Sequence, residues 1–200
     1  MALLRQAEWE LGGYGGSSPW SPAALAGFVG ISGVYAPDDR RLVEHFDKKG
    51  LYRELFWSIM EAGFSGSRAD EALHRASPVA ILRECGAECG GGSGGGSEGL
   101  ARTQPPVLLC HGSADTSAPP SQSADYAAAL RGAGVHVTER YYSGKTHTDP
   151  FVTDPILGGH DALLEDIVAF VRGERGDRLP ALPALLPRLL VDIARMMVPF

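Results

Sequence analysis

Two stretches in the second half of the chain constrain the fold most, because each is a strand pattern that runs into a polar loop. Val107-Leu108-Leu109-Cys110 is a short continuous apolar run opened by Pro106. A strand buried on both faces needs such a run, because neither alternating set of side chains meets water. Ser121 to Leu130 then reads as a helix closed by Gly132 and Gly134, and Val135 to Tyr142 (VHVTERYY) alternates and is β-rich. Asp161 to Val171 is amphipathic, with Leu163, Leu164, Ile167, Val168 and Val171 on one side. Strand, helix, strand, helix implies a parallel sheet with helices packed on it, an α/β class of fold.

The first half carries the same alternation less clearly. Leu3 to Leu11 reads as a helix end, broken by Gly12, Gly13, Gly15 and Gly16. Leu25 to Tyr35 (LAGFVGISGVY) is uncharged and predicts another doubly buried strand. Apolar residues from Arg41 to Met60 recur at helical spacing, with Gly50 dividing two short helices, so residues 41–62 form a helical segment. Ser77-Pro78 starts a further helix, with Ser77 as N-cap. GGGSGGGSEG over Gly90 to Gly99 predicts a flexible loop within 86–104. Leu185, Leu186, Leu189, Leu190, Ile193, Met196 and Met197 mark an amphipathic helix over 183–198, which either packs on the body or lies at a membrane interface. The whole, 1–200, is read as one partial domain.

Composition narrows the function. A formal net charge of −6 excludes a basic nucleic-acid binder, which needs a positive face for phosphates. The uncharged apolar stretches fall short of the ~20 residues that cross a bilayer, and no signal peptide opens the sequence. Three cysteines, Cys85, Cys89 and Cys110, argue against a disulfide framework. Cys85 and Cys89 lack two further ligands nearby, and His160-Asp161 reads as a helix start, so no metal is expected.

The chemistry lies past the two strands. Sites in open α/β sheets form at the carboxyl ends of strands. Asp115 follows the first, in HGSAD, and His147 follows the second, in SGKTH. A carboxylate that accepts from imidazole Nδ1–H fixes the tautomer a general base requires. Spacing alone supports equally a second reading, in which Asp115 caps the next turn and His147 is a surface loop residue.

The segments LVEHFDKKGLYRELFWSIM (Leu42 to Met60), Pro106 to Pro119, and YSGKTHTDPFVTDPILGGHDALLEDIV (Tyr142 to Val168) resemble the plant isoprenylcysteine methylesterases, a family with the α/β-hydrolase fold. HGSAD is a general α/β-hydrolase pattern; GLYRELFWSIME and SGKTHTD are more specific to the methylesterases. The resemblance runs from about Ala23 to Phe200, apart from the Gly-rich insert. It implies that Asp115 is the triad acid and His147 the triad base. It further implies a prenylated cysteine methyl ester as substrate, carboxylic-ester hydrolysis without a cofactor, and residence at endoplasmic reticulum and Golgi membranes. Phe46, Leu51, Tyr52, Phe56 and Trp57 would then form a lid over the prenyl group, or else plain core.

The family's nucleophile serine and its His-Gly-Gly oxyanion segment have no counterpart in these 200 residues. Two literal G-x-S-x-G matches, at Ser93 and Ser97, lie in the low-complexity loop without the strand–turn–helix setting a nucleophile elbow needs. Ser32 and Ser113 do not fit the pattern. The chain is therefore expected to be the C-terminal portion of such an enzyme and inactive alone, with the first strand lacking its neighbour on one side. Other serine hydrolases (a general carboxylesterase or a prolyl-oligopeptidase-like peptidase) and a non-catalytic truncated product are the alternatives.

Overall fold

The computed structural model of the chain describes residues 3–4, 6–7, 20–48, 70–88, 102–173 and 178–197. Three parallel strands, β1 (Phe28–Ile31), β2 (Val107–Gly112) and β3 (Val137–Tyr142), form one sheet in the order β1-β2-β3. The helices are α1 (Arg40–Lys48), α2 (Asp70–Ala76), α3 (Pro78–Glu88), α4 (Ser121–Gly132), the short α5 (Asp154–Leu157), α6 (Ala162–Arg172) and α7 (Arg188–Met197). A π turn, Asp149–Thr153, precedes α5.

β2 is the centre of the molecule, and all six of its residues are buried. Successive side chains of a strand point to opposite faces. Val107 and Leu109 pack with Ile81 and Leu82 of α3 and with Tyr126, Ala127 and Leu130 of α4. Leu4 and Ala7 join that cluster, as one face of a helix near the start of the chain should. Leu108 and Cys110 pack on the other face with Leu163, Ile167 and Phe170 of α6. Helices on both faces explain why the run in β2 is continuously apolar rather than alternating.

Local signals set several element ends. Ser77 Oγ accepts from the Ala80 amide at 3.2 Å at the start of α3. Asp161 caps α6 by accepting from the Leu164 amide at 2.9 Å, so His160-Asp161 is a helix start. Gly173, at φ 70°, ends α6 in the left-handed region that favours glycine.

Other boundaries differ from expectation. β1 is four residues long and mostly half-buried, where a longer, fully buried strand was expected. Its extension is stopped at Ser32, whose φ of 47° turns the chain. Beyond that turn the Tyr35 and Ala36 amides donate to Oε1 of buried Gln122 in α4, at 3.1 and 2.8 Å. β2 runs two residues further than its apolar core, through His111 and Gly112. β3 starts at Val137, two residues later than expected, and α7 starts at Arg188 after a non-helical stretch. Among the described residues β1 pairs only with β2. The lid expectation beyond residue 48 and the whole Gly90 to Gly99 loop, with Ser93 and Ser97, lie outside the described residues, as do the side chains of Cys85 and Cys89.

Candidate active site

The sheet register brings the two polar loops together. Gly112, the last residue of β2, pairs with Tyr142, the last of β3, so both loops leave the sheet side by side. They are then laced to each other. Ser113 N donates to Tyr142 O and Ala114 N to Lys145 O, both at 2.9 Å, and Gly144 N donates to Ser113 Oγ at 2.8 Å. Gly112 allows this approach: a Cβ there would collide with the carbonyl oxygens of Lys145 and Thr146.

The result is a direct contact between the two expected site residues. His147 Nδ1 lies 2.8 Å from Asp115 Oδ2. A carboxylate only accepts, so Nδ1 carries the hydrogen and Nε2 is left as the basic nitrogen. The Asp115 side chain is fully buried and that of His147 is one-third exposed. The other oxygen, Oδ1, accepts from the Ser117 and Ala118 amides at 2.8 and 2.9 Å. One oxygen of the Asp115 carboxylate thus meets His147 and the other caps the turn that follows. Burial alone would push the Asp115 carboxyl up. Hydrogen bonds from His111, His147 and the Ala118 amide outweigh burial and hold it well below the usual carboxylate range.

Neither described serine near the pair is placed as a nucleophile. Ser32 Oγ donates to the main-chain carbonyl of His147 at 3.4 Å, and Ser113 Oγ accepts from Gly144 N. Among the described residues no group of three or more His, Cys, Asp and Glu is arranged to hold a metal ion. Cys110 is a buried free thiol whose pKa burial raises to about 11, which makes it a poor nucleophile.

The structure adds residues that sequence reasoning missed. His111 is completely buried beside Asp115, and Gln122 and Ser123 are buried on α4. The one available signal was a histidine continuing an apolar strand run, since a buried polar group must find partners. Asp149 accepts from the Thr146 amide at 2.8 Å and is ion-paired with Arg195 of α7, so the C-terminal helix is tied to the loop that carries His147. Burial raises the Asp149 carboxyl, and hydrogen bonds from Thr146 and Thr153 with the Arg195 charge lower it further than burial lifts it.

Residues 73–171 match the prolyl oligopeptidase family. Over 205 aligned residues the chain is 37% identical to the isoprenylcysteine alpha-carbonyl methylesterase of Arabidopsis thaliana, covering 100% of this chain and 43% of that protein. The chain belongs to the α/β-hydrolase superfamily. A probable isoprenylcysteine alpha-carbonyl methylesterase of Oryza sativa subsp. japonica is 35% identical, over 99% of this α/β-hydrolase chain and 43% of the relative. The chain thus spans less than half the length of these curated relatives. A Mycobacterium tuberculosis puromycin-hydrolyzing peptidase of solved structure aligns at 18% identity and a TM-score of 0.45, over 81% of this chain and 22% of that one. In α/β-hydrolases the acid precedes the histidine in the chain, and Asp115 precedes His147.

Proposed function

We propose that Asp115 and His147 are the acid and base of a Ser-His-Asp carboxylic-ester hydrolase that demethylates prenylcysteine methyl esters. The observation that carries this reading is the 2.8 Å contact between His147 Nδ1 and Asp115 Oδ2 at the carboxyl ends of two adjacent parallel strands. His147 Nε2 would take the proton of the attacking serine and return it to the departing methoxide oxygen. Buried Asp115 would hold the ring and stabilise the imidazolium. The substrate class follows from what the relatives are named for. The nucleophile and oxyanion donors would come from residues outside these 200, so this polypeptide alone would not hydrolyse ester.

The test compares the 200-residue chain with the same chain preceded by its upstream reading frame, on a farnesylcysteine methyl ester. The expected result is turnover by the longer protein alone, lost by roughly 10⁴-fold or more in His147→Ala. Turnover by the 200 residues that His147→Ala abolishes would overturn the inactivity. Turnover by the longer protein that survives His147→Ala would overturn the assignment. Because residues 73–171 match a peptidase family, a short peptide substrate belongs in the same assay. Preference for the peptide would favour a prolyl-oligopeptidase-like reading.

The same reading puts the protein at a membrane surface, at the endoplasmic reticulum and Golgi. No helix among the described residues is long and apolar enough to cross a membrane. α7 instead exposes Leu189, Leu190, Ile193 and Met196, and among its described side chains only Val191 is buried. An amphipathic helix of this kind lies in the plane of the interface, with its apolar side toward the acyl chains.

A further inference from the structure

His111 contacts the Asp115–His147 pair through the shared carboxylate. It stands in β2 on the same side as Val107 and Leu109, facing α4, and is fully buried. Its Nε2 lies 2.8 Å from the carbonyl oxygen of Ala118, which can only accept, so Nε2 carries the hydrogen. Its Nδ1 then accepts from the Ser123 hydroxyl at 2.7 Å. The same Nε2 also lies 3.1 Å from Asp115 Oδ2, the oxygen that His147 uses. Two imidazoles therefore share one carboxylate oxygen.

We propose that His111 is a positioning residue for the Asp115–His147 pair: by donating to Asp115 Oδ2 it limits how strongly that carboxylate holds His147 as the imidazolium. The proposal rests on the reading of Asp115 and His147 as acid and base. Each donor to a carboxylate disperses its charge, and a histidine held too firmly as imidazolium is no longer available as a base at working pH. Among the described residues Asp115 is the charged group in direct contact with His147. The Phe151 ring meets it edge-on at 6.2 Å, and Ser32 contacts only its main chain. The charges on its own loop have partners, Lys145 with Asp154 and Asp149 with Arg195. The second donor on Oδ2 is thus the feature placed to set the balance. A merely space-filling His111 would not set it.

The test is the NMR titration of His147 in the full 200-residue chain with ¹⁵N-labelled histidine. Asp115→Asn is expected to lower the His147 midpoint, since the partner charge is lost. His111→Asn, whose amide reaches Ser123 but not Asp115, is expected to raise it by roughly half a unit or more. His111→Gln, whose longer amide can donate to the same oxygen, is expected to bring it back toward the unsubstituted value. An unchanged or lowered midpoint in His111→Asn, with Asp115→Asn effective, overturns the role of His111 and leaves the pair intact. No effect of Asp115→Asn overturns the pair itself. If His111→Asn does not fold, the unsubstituted chain decides. His111 must stay the Nε2–H tautomer and its resonance must move as His147 titrates. An Nδ1–H tautomer, or a resonance blind to that titration, overturns the proposal.

Discussion

Gly112 lies beneath the backbone of Thr146, so closely that a Cβ on Gly112 would stand 2.6 Å from the Thr146 carbonyl oxygen. The obstacle is main chain and cannot rotate away as a side chain could. Gly112→Ala must lift the loop carrying His147 off the end of β2. Overpacking of this kind costs about 1–3 kcal/mol, which urea unfolding would read. The same substitution should break the His147 to Asp115 hydrogen bond, seen as loss of a protected His147 Nδ1–H resonance. A variant with wild-type stability and that resonance retained would contradict the account of the close approach.

Asp115 should make stability fall in acid. Its folded-state pKa is depressed, so the folded chain binds fewer protons than the unfolded chain through that window. The contribution is fully present above the unfolded carboxylate value of about 3.9 and is lost as pH falls below it toward the folded value. Asp149 is shifted in the same direction and adds to the effect. Asp115→Asn should cost about 1.5–3 kcal/mol near neutral pH, the scale of a hydrogen bond to a charged group. The gap between variant and wild type should narrow as the solution is acidified. Unfolding free energies measured across that range would show a constant gap if the prediction is wrong.

His74 predicts a dependence of opposite sign. Its Nδ1 lies 2.8 Å from Asp38 and its Nε2 2.8 Å from Glu84, joining α2 to α3 and to the turn before α1. Hydrogen bonds to Asp38 and then Glu84 raise its pKa. The stabilisation is therefore present below the unfolded histidine value of about 6.5 and lost as pH rises through the folded one. Its side chain is half exposed, so the effect should stay within about 1 kcal/mol. His74→Ala should flatten the stability profile on that side of neutrality, and thermal unfolding at a series of pH values would check it.

Arg195→Ala should loosen α7. The helix buries only Val191 among the side chains described, and the ion pair to Asp149 is its polar anchor to the body. Arg195 is 43% exposed, so the global cost should be about 1 kcal/mol or less. Hydrogen exchange over 188–197 should rise more than exchange in β2. Replacing Leu189 and Ile193 by Ser should leave that exchange pattern alone and weaken binding to phospholipid vesicles. Equal vesicle binding by that variant would remove the membrane reading of α7.

Much of this architecture was legible in the sequence because its signals are local. The apolar run at Val107 to Cys110, the alternation in VHVTERYY and the caps at Ser77 and Asp161 each report on a few neighbouring residues. They sufficed to place strands beside helices and to put Asp115 and His147 past two strand ends. Chain order and the resemblance of HGSAD and SGKTHTD then implied the acid and base roles proposed for the two residues. β1 was overestimated because its uncharged stretch continues beyond Ser32, while the backbone turns there to reach Gln122.

Tertiary structure alone decided what these residues touch. The Gly112 to Tyr142 register sets whether the two loops meet, and strand register depends on packing across both faces of the sheet. The place of His111 between Ser123, Ala118 and Asp115, and the bond from Arg195 to the loop of His147, join segments far apart in the chain. Sequence by itself determined that a carboxylate and an imidazole stand past two strand ends. Folding decided that His147 and a second, buried imidazole meet the same carboxylate oxygen, because packing around β2 buries Asp115 and His111 and buried polar groups must find partners within the protein.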